Sequence, residues 1–108
     1  MLFAKQGDTE QARAYLQKAI QLRPIYPDAL NNLGVLHIRA GRFSDAQAVF
    51  ERCIRLAPSF DMAYLNLAKM YVALGKIEKA RGILSQLLAV HPGHQAARQA
   101  LQELTLRK

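Results

Sequence analysis

A period of 34 residues runs through the whole chain and constrains its fold more than any other feature. Four sets of residues recur with this spacing: Pro24, Pro58 and Pro92; Gly7, Gly41 and Gly75; Ala12, Ala46 and Ala80; and Leu16, Phe50 and Leu84. A repeat of this length indicates stacked supersecondary units, none of which can bury a hydrophobic core alone. The 108 residues leave room for one domain built from such units.

Each unit has the pattern of two helices. Apolar residues recur at three- and four-residue steps on both sides of Gly41, and the same pattern surrounds Gly75. Gly41 is predicted to end a helix as a left-handed C-terminal cap, and Pro58 prevents the next helix from continuing. Ser59 is predicted to cap the helix that follows. The connections are short, so each period predicts an antiparallel hairpin of a helix A and a helix B.

Composition and charge exclude several classes of protein. The chain is 51% hydrophobic and 21% charged, which is typical of a folded globular protein. It has no apolar run of about 20 residues, and its first residues do not resemble a signal peptide. Cys53 is the only cysteine, and we expect it to be a buried, inert thiol. These features predict a cytoplasmic protein.

The net charge of +7 is compatible with binding to nucleic acid. The basic residues are nevertheless scattered over three segments, without a run and without interleaved surface aromatic residues. We therefore interpret them as solvated helix faces and do not expect nucleic acid to be a partner. A basic nucleic-acid-binding surface stays a remote alternative.

No constellation of residues suggests catalysis. The chain has no glycine-rich phosphate loop and no pair of carboxylates suited to acid–base chemistry. His91 and His94 fall short of the usual set of metal ligands. We expect no enzyme activity, no metal and no cofactor.

The repeated pattern resembles the tetratricopeptide repeat, whose signature is W-x2-L-G-x2-Y, G, A-x3-F, A and P. The second unit matches it with Leu30, Leu33, Gly34, His37, Gly41, Ala46, Phe50, Cys53 and Pro58. The third unit matches it with Tyr64, Leu67, Ala68, Tyr71, Gly75, Ala80, Leu84, Leu87 and Pro92. The motif around Leu30–Gly34 is similar to the repeats of O-linked N-acetylglucosamine transferase.

This resemblance implies an all-α fold, a right-handed superhelical array of antiparallel helical hairpins that ends in a capping helix. The predicted division is a single domain over 1–108, with a partial repeat over 1–26 that is mainly helix B, full repeats over 27–60 and 61–94, and a capping helix over 95–108. Residues 95–108 carry many polar side chains where the repeat would require apolar ones. This is typical of the solvating helix that ends an array.

The resemblance also implies a function, which is the binding of a peptide or protein of unknown identity by a scaffold module, along the concave surface of the A helices. The side chains expected there are Asn32, Val35, Arg39, Leu65, Asn66, Lys69 and Val72. Asn32 and Asn66 lie one period apart and resemble two rungs of an asparagine ladder that grips a peptide backbone. Val35, Leu65 and Val72 would form an apolar floor, with Arg39 and Lys69 as charge guides.

The chaperone-binding members of the family hold a C-terminal carboxylate with a clamp of lysine, asparagine and arginine side chains. The corresponding positions here are Asn31, Val35, Asn66, Ala96 and Ala100. Only Asn66 fits, so we do not expect this clamp to operate.

The first unit lacks most of its helix A, so its helix B is expected to have an uncovered apolar side formed by Phe3, Tyr15, Leu16 and Ile20. Two interpretations remain open. The chain is a piece of a longer array, or two copies meet at this N-terminal edge as a homodimer. Self-association is therefore the alternative function.

Overall fold

The computed structural model describes residues 6–23 and 25–106, with side chains from Thr9 onward, and this part of the chain contains helices and turns but no strand. The six helices are α1 (Gln6–Leu22), α2 (Pro27–Arg39), α3 (Phe43–Leu56), α4 (Asp61–Ala73), α5 (Ile77–Val90) and α6 (Gln95–Leu106). Helix α2 packs most closely on α3, and α4 on α5, while α1 and α6 pack on α2 and α5 respectively. The prediction of an all-α helical repeat array is confirmed.

Both A helices end in the same way. Gly41 and Gly75 have φ angles of 76° and 78°, in the left-handed region that glycine adopts without steric cost. The Arg42 N–H donates to the His37 carbonyl at 2.8 Å, and the Gly41 N–H donates to the Ile38 carbonyl at 3.0 Å. This is a Schellman motif, and it satisfies carbonyls that the end of α2 would otherwise leave unpaired. The predicted left-handed cap at Gly41 is confirmed.

Gly7 belongs to the same glycine series, but it lies in the first turn of α1 and not between two helices. Helix α1 has 17 residues, whereas α3 and α5 have 14 each. The turn at Gly41 depends on a carbonyl of the preceding helix, that of His37. In the first repeat the residue that corresponds to His37 is Phe3, which lies outside the described residues.

The core is formed by the residues that the period predicts. Ala46, Phe50 and Cys53 of α3 have no exposed surface, and neither do Ala80 and Leu87 of α5. Because these small and large side chains fall at corresponding positions in both hairpins, each hairpin presents similar faces to its neighbours. The array therefore buries a continuous core.

Helix α6 closes this core with one face. Ala97 is fully buried and Leu104 is 5% exposed, whereas Arg98, Gln99 and Gln102 are exposed. The predicted capping helix is confirmed in this respect. The outward side of α6 carries mostly polar side chains, together with Leu106, which is 81% exposed.

The helix that follows Pro58 begins differently from the prediction. The N-cap of α4 is Phe60, without a side-chain cap hydrogen bond, so the prediction that Ser59 caps this helix is wrong. The carbonyl of Ser59 instead lies 3.0 Å from Nε2 of His91. Ser59 therefore connects two turns that are one repeat apart.

None of the six helices in the described ranges combines the length and the apolar character that crossing a bilayer requires.

Candidate functional site

An open groove of about 500 Å³ lies between α4 and α6, with Leu84 of α5 among its lining residues. Its volume is in the range of sites that bind small molecules or side chains of a partner. The lining residues are Met62, Leu65, Asn66, Ala68, Lys69, Val72, Ala73, Leu84, Ala96, Ala100, Glu103 and Leu104. Most of them are apolar, and three carry an amide or a charge.

Four of the seven residues predicted to bind a peptide meet in this groove. Leu65, Asn66, Lys69 and Val72 are all on α4 and all line it. Lys69 is four residues after Leu65, three after Asn66 and three before Val72, which places the four residues on one side of the helix. Leu65, Asn66 and Val72 are half-buried, whereas Lys69 is exposed.

The other three predicted residues lie on α2 and do not line the groove. Asn32 and Arg39 are exposed, and Val35 is half-buried against the core. The structure thus separates the predicted site into a formed groove along α4 and an open surface on α2. A role in binding remains a prediction for all seven residues.

Asn66 has a partner that the repeat does not predict. Its Nδ2 donates to Oδ1 of Asn31 at 3.0 Å, which links α4 to α2. Asn31 is 8% exposed, whereas Asn32 is exposed. The position in α4 that corresponds to Asn31 is Leu65, so the 34-residue period contains no signal for this pair.

The two charged residues of the groove have opposite signs. Lys69 on α4 and Glu103 on α6 both line it and are both exposed. Neither forms an ion pair with any residue in the described ranges. Glu103 was absent from the predicted site, although its position one period after Lys69 was a signal that could have found it.

The predicted self-association surface is partly exposed. Tyr15 is 74% exposed and Leu16 is half-buried, while Phe3 lies outside the described residues. Ile20 is 7% exposed, so it belongs mainly to the core of the single chain. Ile20 and Leu33 nevertheless line an open cleft of about 390 Å³ beside α1.

His94, like His91, connects two successive repeats. His94 precedes α6, and its Nδ1 accepts a hydrogen bond from the Ala97 N–H at 3.2 Å. Since Nδ1 is an acceptor, Nε2 carries the hydrogen and donates to Oδ2 of Asp61 at 2.9 Å. His94 therefore caps α6 and links it to the first turn of α4, so both ring nitrogens already have a structural role.

His37 is buried without a complete set of hydrogen bonds. It is 7% exposed, and its Nδ1 has no partner within the described part of the chain. Burial lowers the pKa of His37; Asp45 opposes this shift, and Arg42 and Arg13 add to it. The corresponding residue of the next repeat is Tyr71, whose pKa is raised by burial and by Glu51.

Several basic side chains have partners within the chain. Arg13 and Arg42 both approach Glu10, and Arg81 pairs with Glu78 at 3.0 Å. The guanidinium carbon of Arg23 lies 4.2 Å from the centroid of the Tyr26 ring. These four arginines are thus held in local contacts within the array.

A family model described as tetratricopeptide repeat matches residues 3–58 and 38–104. The chain belongs to the tetratricopeptide repeat family. A comparison with curated proteins finds no match.

Solved structures show the same fold. The first tetratricopeptide domain of Spaghetti (RPAP3), bound to the HSP90 peptide SRMEEVD, is 23% identical with a TM-score of 0.75, over 93% of this chain and 81% of that one. A thermophilic tetratricopeptide protein from Thermus thermophilus is 22% identical with a TM-score of 0.82, over 94% of this chain and 52% of that one.

The O-GlcNAc transferase of Thermobaculum terrenum, in a mutant form, is 26% identical with a TM-score of 0.71. The similarity covers 91% of this chain and 19% of the transferase. The resemblance of these repeats to those of O-linked N-acetylglucosamine transferase is therefore confirmed for the repeat region. The chain spans about half of the Thermus protein and about a fifth of the transferase.

Proposed function

We propose that the chain is a protein-interaction module that binds a peptide segment of its partner in the groove between α4 and α6. The observation that carries this proposal is the shape and lining of the groove, which is about 500 Å³ in volume and mostly apolar. A concave apolar site with a few polar groups is the usual form of a binding site. The peptide bound to the Spaghetti domain, which has the same fold, supports the proposal.

Asn66 would contact the backbone of the bound peptide. One of its two amide hydrogens is used by Asn31, which holds the side chain in a defined orientation. The second amide hydrogen and the carbonyl oxygen have no partner among the described residues, so they can pair with one peptide group. Asn32, exposed on α2, would provide the next contact along the array.

Leu65 and Val72 would bury an apolar side chain of the peptide, and Val35 would extend this floor toward α2. Lys69 and Arg39 are exposed and would guide charged groups of the partner. Because exposed charges contribute mainly to the association rate, we assign most of the affinity to the apolar contacts.

The proposal is tested with peptides selected from a random display library, whose affinities are measured by fluorescence polarisation. Leu65→Arg and Val72→Arg introduce a bulky charge into the groove and should weaken binding at least tenfold. Ser85→Arg adds the same side chain at an exposed position of α5 that does not line the groove, so it should leave the affinity unchanged. Equal affinities for all three variants would refute the use of this groove.

The asparagine contacts have their own test. Asn32→Ala combined with Asn66→Ala removes both predicted amides and should weaken peptide binding at least about fivefold, since each net hydrogen bond contributes about 0.5–1.5 kcal/mol. Asn31→Ala is the matched control, because it breaks the same internal hydrogen bond as Asn66→Ala but leaves the groove amide in place. If the double variant binds like the wild type, neither asparagine holds the peptide.

A second candidate function is self-association through the face of α1. The observation that favours it is a comparison within the chain: Leu16 is half-buried, whereas its equivalents Phe50 and Leu84 are at most 2% exposed. Tyr15 and Leu22 on the same helix are each 74% exposed. A second copy would cover these side chains.

Light scattering coupled to size-exclusion chromatography, over a range of concentrations, measures this directly. We expect a dimer that Tyr15→Glu converts to a monomer, with the exposed Gln86→Glu as a control. A monomer at every concentration would leave peptide binding as the single proposal.

A further inference from the structure

We infer that the groove selects a peptide in which an apolar side chain lies between one acidic and one basic residue, in a single order along the chain. This inference rests on the proposed function, because it concerns the partner of the same groove. It is carried by the arrangement of the groove's charges and small residues.

The space in the groove is created by small side chains on α6. Ala96 and Ala100 line it, on the side opposite Leu65 and Val72 of α4. Because alanine side chains end at Cβ, they leave room between the two helices that a larger apolar side chain can fill. Three of its lining residues, Ala68, Leu84 and Leu104, are at most 5% exposed, so an apolar side chain placed against them would be removed from water.

The charged residues of the groove restrict which residues can flank this apolar side chain in the ligand. Lys69 and Glu103 occupy corresponding positions on two helices that are one repeat apart, and neither forms an ion pair within the described part of the chain. A ligand that passes between them can place an acidic group near Lys69 and a basic group near Glu103. A ligand with only acidic groups meets repulsion at Glu103, and a purely basic one meets it at Lys69.

The separation of these groups follows from the helix spacing. Because an open groove lies between α4 and α6, the two helices are at least as far apart as the about 8–10 Å of directly packed helices. An extended peptide rises about 3.3 Å per residue, so the acidic and basic residues of the ligand should be at least about three positions apart. The direction in which the bound peptide runs then decides whether the acidic or the basic residue comes first.

Four fluorescein-labelled peptides of equal length and with the same apolar centre test the inference. In each peptide the apolar centre lies between two charged residues that are three positions apart. From the N-terminus these two residues are Glu then Lys in the first peptide, Lys then Glu in the second, two Glu in the third and two Lys in the fourth. We expect one of the two mixed peptides to bind about two- to fivefold more tightly than the other three, as for exposed ion pairs. Equal or tighter binding by the purely acidic peptide would overturn the inference, and so would an absence of binding by both mixed peptides.

Charge exchange provides an independent readout. Lys69→Glu combined with Glu103→Lys should reverse which mixed peptide is preferred, whereas Glu103→Lys alone should favour the purely acidic peptide. Glu78→Lys makes the same charge change at an exposed site on α5, outside the groove, and should preserve the original preference. An unchanged preference in the exchanged protein contradicts the inference.

Leu65→Arg separates this inference from the proposed function. If Leu65→Arg abolishes binding but the wild-type protein binds the four peptides equally, the groove is used and only the charge selection is wrong. If all four peptides bind the Leu65→Arg variant normally, binding occurs elsewhere and the proposed function fails.

Discussion

The ring of Phe50 lies so close to Gly34 that a Cβ on this glycine would be 2.6 Å from two of the ring carbons. Phe50 is fully buried, so the ring cannot move away into solvent. The absence of a side chain at Gly34 therefore allows α2 and α3 to approach each other across the ring. In the next hairpin the corresponding residues are Ala68 and Leu84. Ala68 is larger than Gly34, and Leu84 is smaller than Phe50.

Gly34→Ala should destabilise the fold. Overpacking a core costs about 1–3 kcal/mol, whereas the higher helix propensity of alanine offsets about 1 kcal/mol. We expect a net decrease in the free energy of unfolding, measured by urea denaturation. Gly82→Ala is the control, because a Cβ there meets no atom within 4 Å and only the propensity gain remains. A more stable Gly34→Ala variant would mean that the Phe50 ring relaxes freely.

Phe50→Leu should compensate for Gly34→Ala. The double variant recreates the pair found in the following hairpin, so its free energy of unfolding should exceed that expected from adding the two single changes. Contacting residues commonly show coupling of about 0.5–3 kcal/mol. Additive effects in the double-mutant cycle would show that the two positions do not share one packing constraint.

Cys53 should be chemically inert in the folded protein. It has no exposed surface, its Sγ lies 3.6 Å from the Pro27 carbonyl oxygen, and burial, together with Asp28, raises the pKa of the thiol to about 11. Iodoacetamide at mildly alkaline pH should label it at least a hundredfold more slowly than in urea, since the thiolate is the reactive form. Labelling at similar rates with and without urea would contradict this.

His37 should make stability depend on pH. Burial lowers the pKa of the folded imidazole below the ordinary 6.5, so the unfolded chain binds this proton at a higher pH. The neutral imidazole therefore contributes its full stabilisation of the fold when the pH is above 6.5, the ordinary pKa of histidine. This stabilisation is lost as the pH falls through 6.5 and below it. The urea midpoint of the wild type should therefore decrease more between about pH 7.5 and about pH 5.5 than that of His37→Gln. Both proteins retain His91 and His94, so an identical decrease would assign the effect to other groups.

His94→Ala should loosen the start of α6. The variant loses the acceptor for the Ala97 N–H and the bond to Asp61. Loss of an N-cap costs about 0.5–2 kcal/mol, and we expect faster amide exchange at the first turn of α6. Gln99→Ala, at an exposed position of the same helix, should leave this exchange unchanged. Unaltered exchange in His94→Ala would show that the cap contributes little.

Local patterns predicted much of this architecture because they act within one repeat. The left-handed glycines, the capping helix and the buried series containing Ala46 and Phe50 all follow from spacing along the chain. The same reasoning failed at Ser59, whose role depends on a residue of the following repeat. The Ser59 side chain does not cap α4, and the Ser59 carbonyl faces His91.

The candidate site was only partly predictable for the same reason. Leu65, Asn66, Lys69 and Val72 share one helix, so their common face could be read from their spacing. The pairing of Asn66 with Asn31 could not, because Asn31 has no asparagine equivalent in the next repeat.

The sequence by itself determined the repeat, the order of the helices and the faces they bury, because each of these follows from periodicity within short segments. The tertiary structure decided which asparagine pairs with Asn66, how wide the groove is and that Glu103 borders it together with Lys69. These features depend on distances between helices one repeat apart. Those distances depend in turn on side-chain volumes at the helix crossings within each hairpin, such as Gly34 against Phe50.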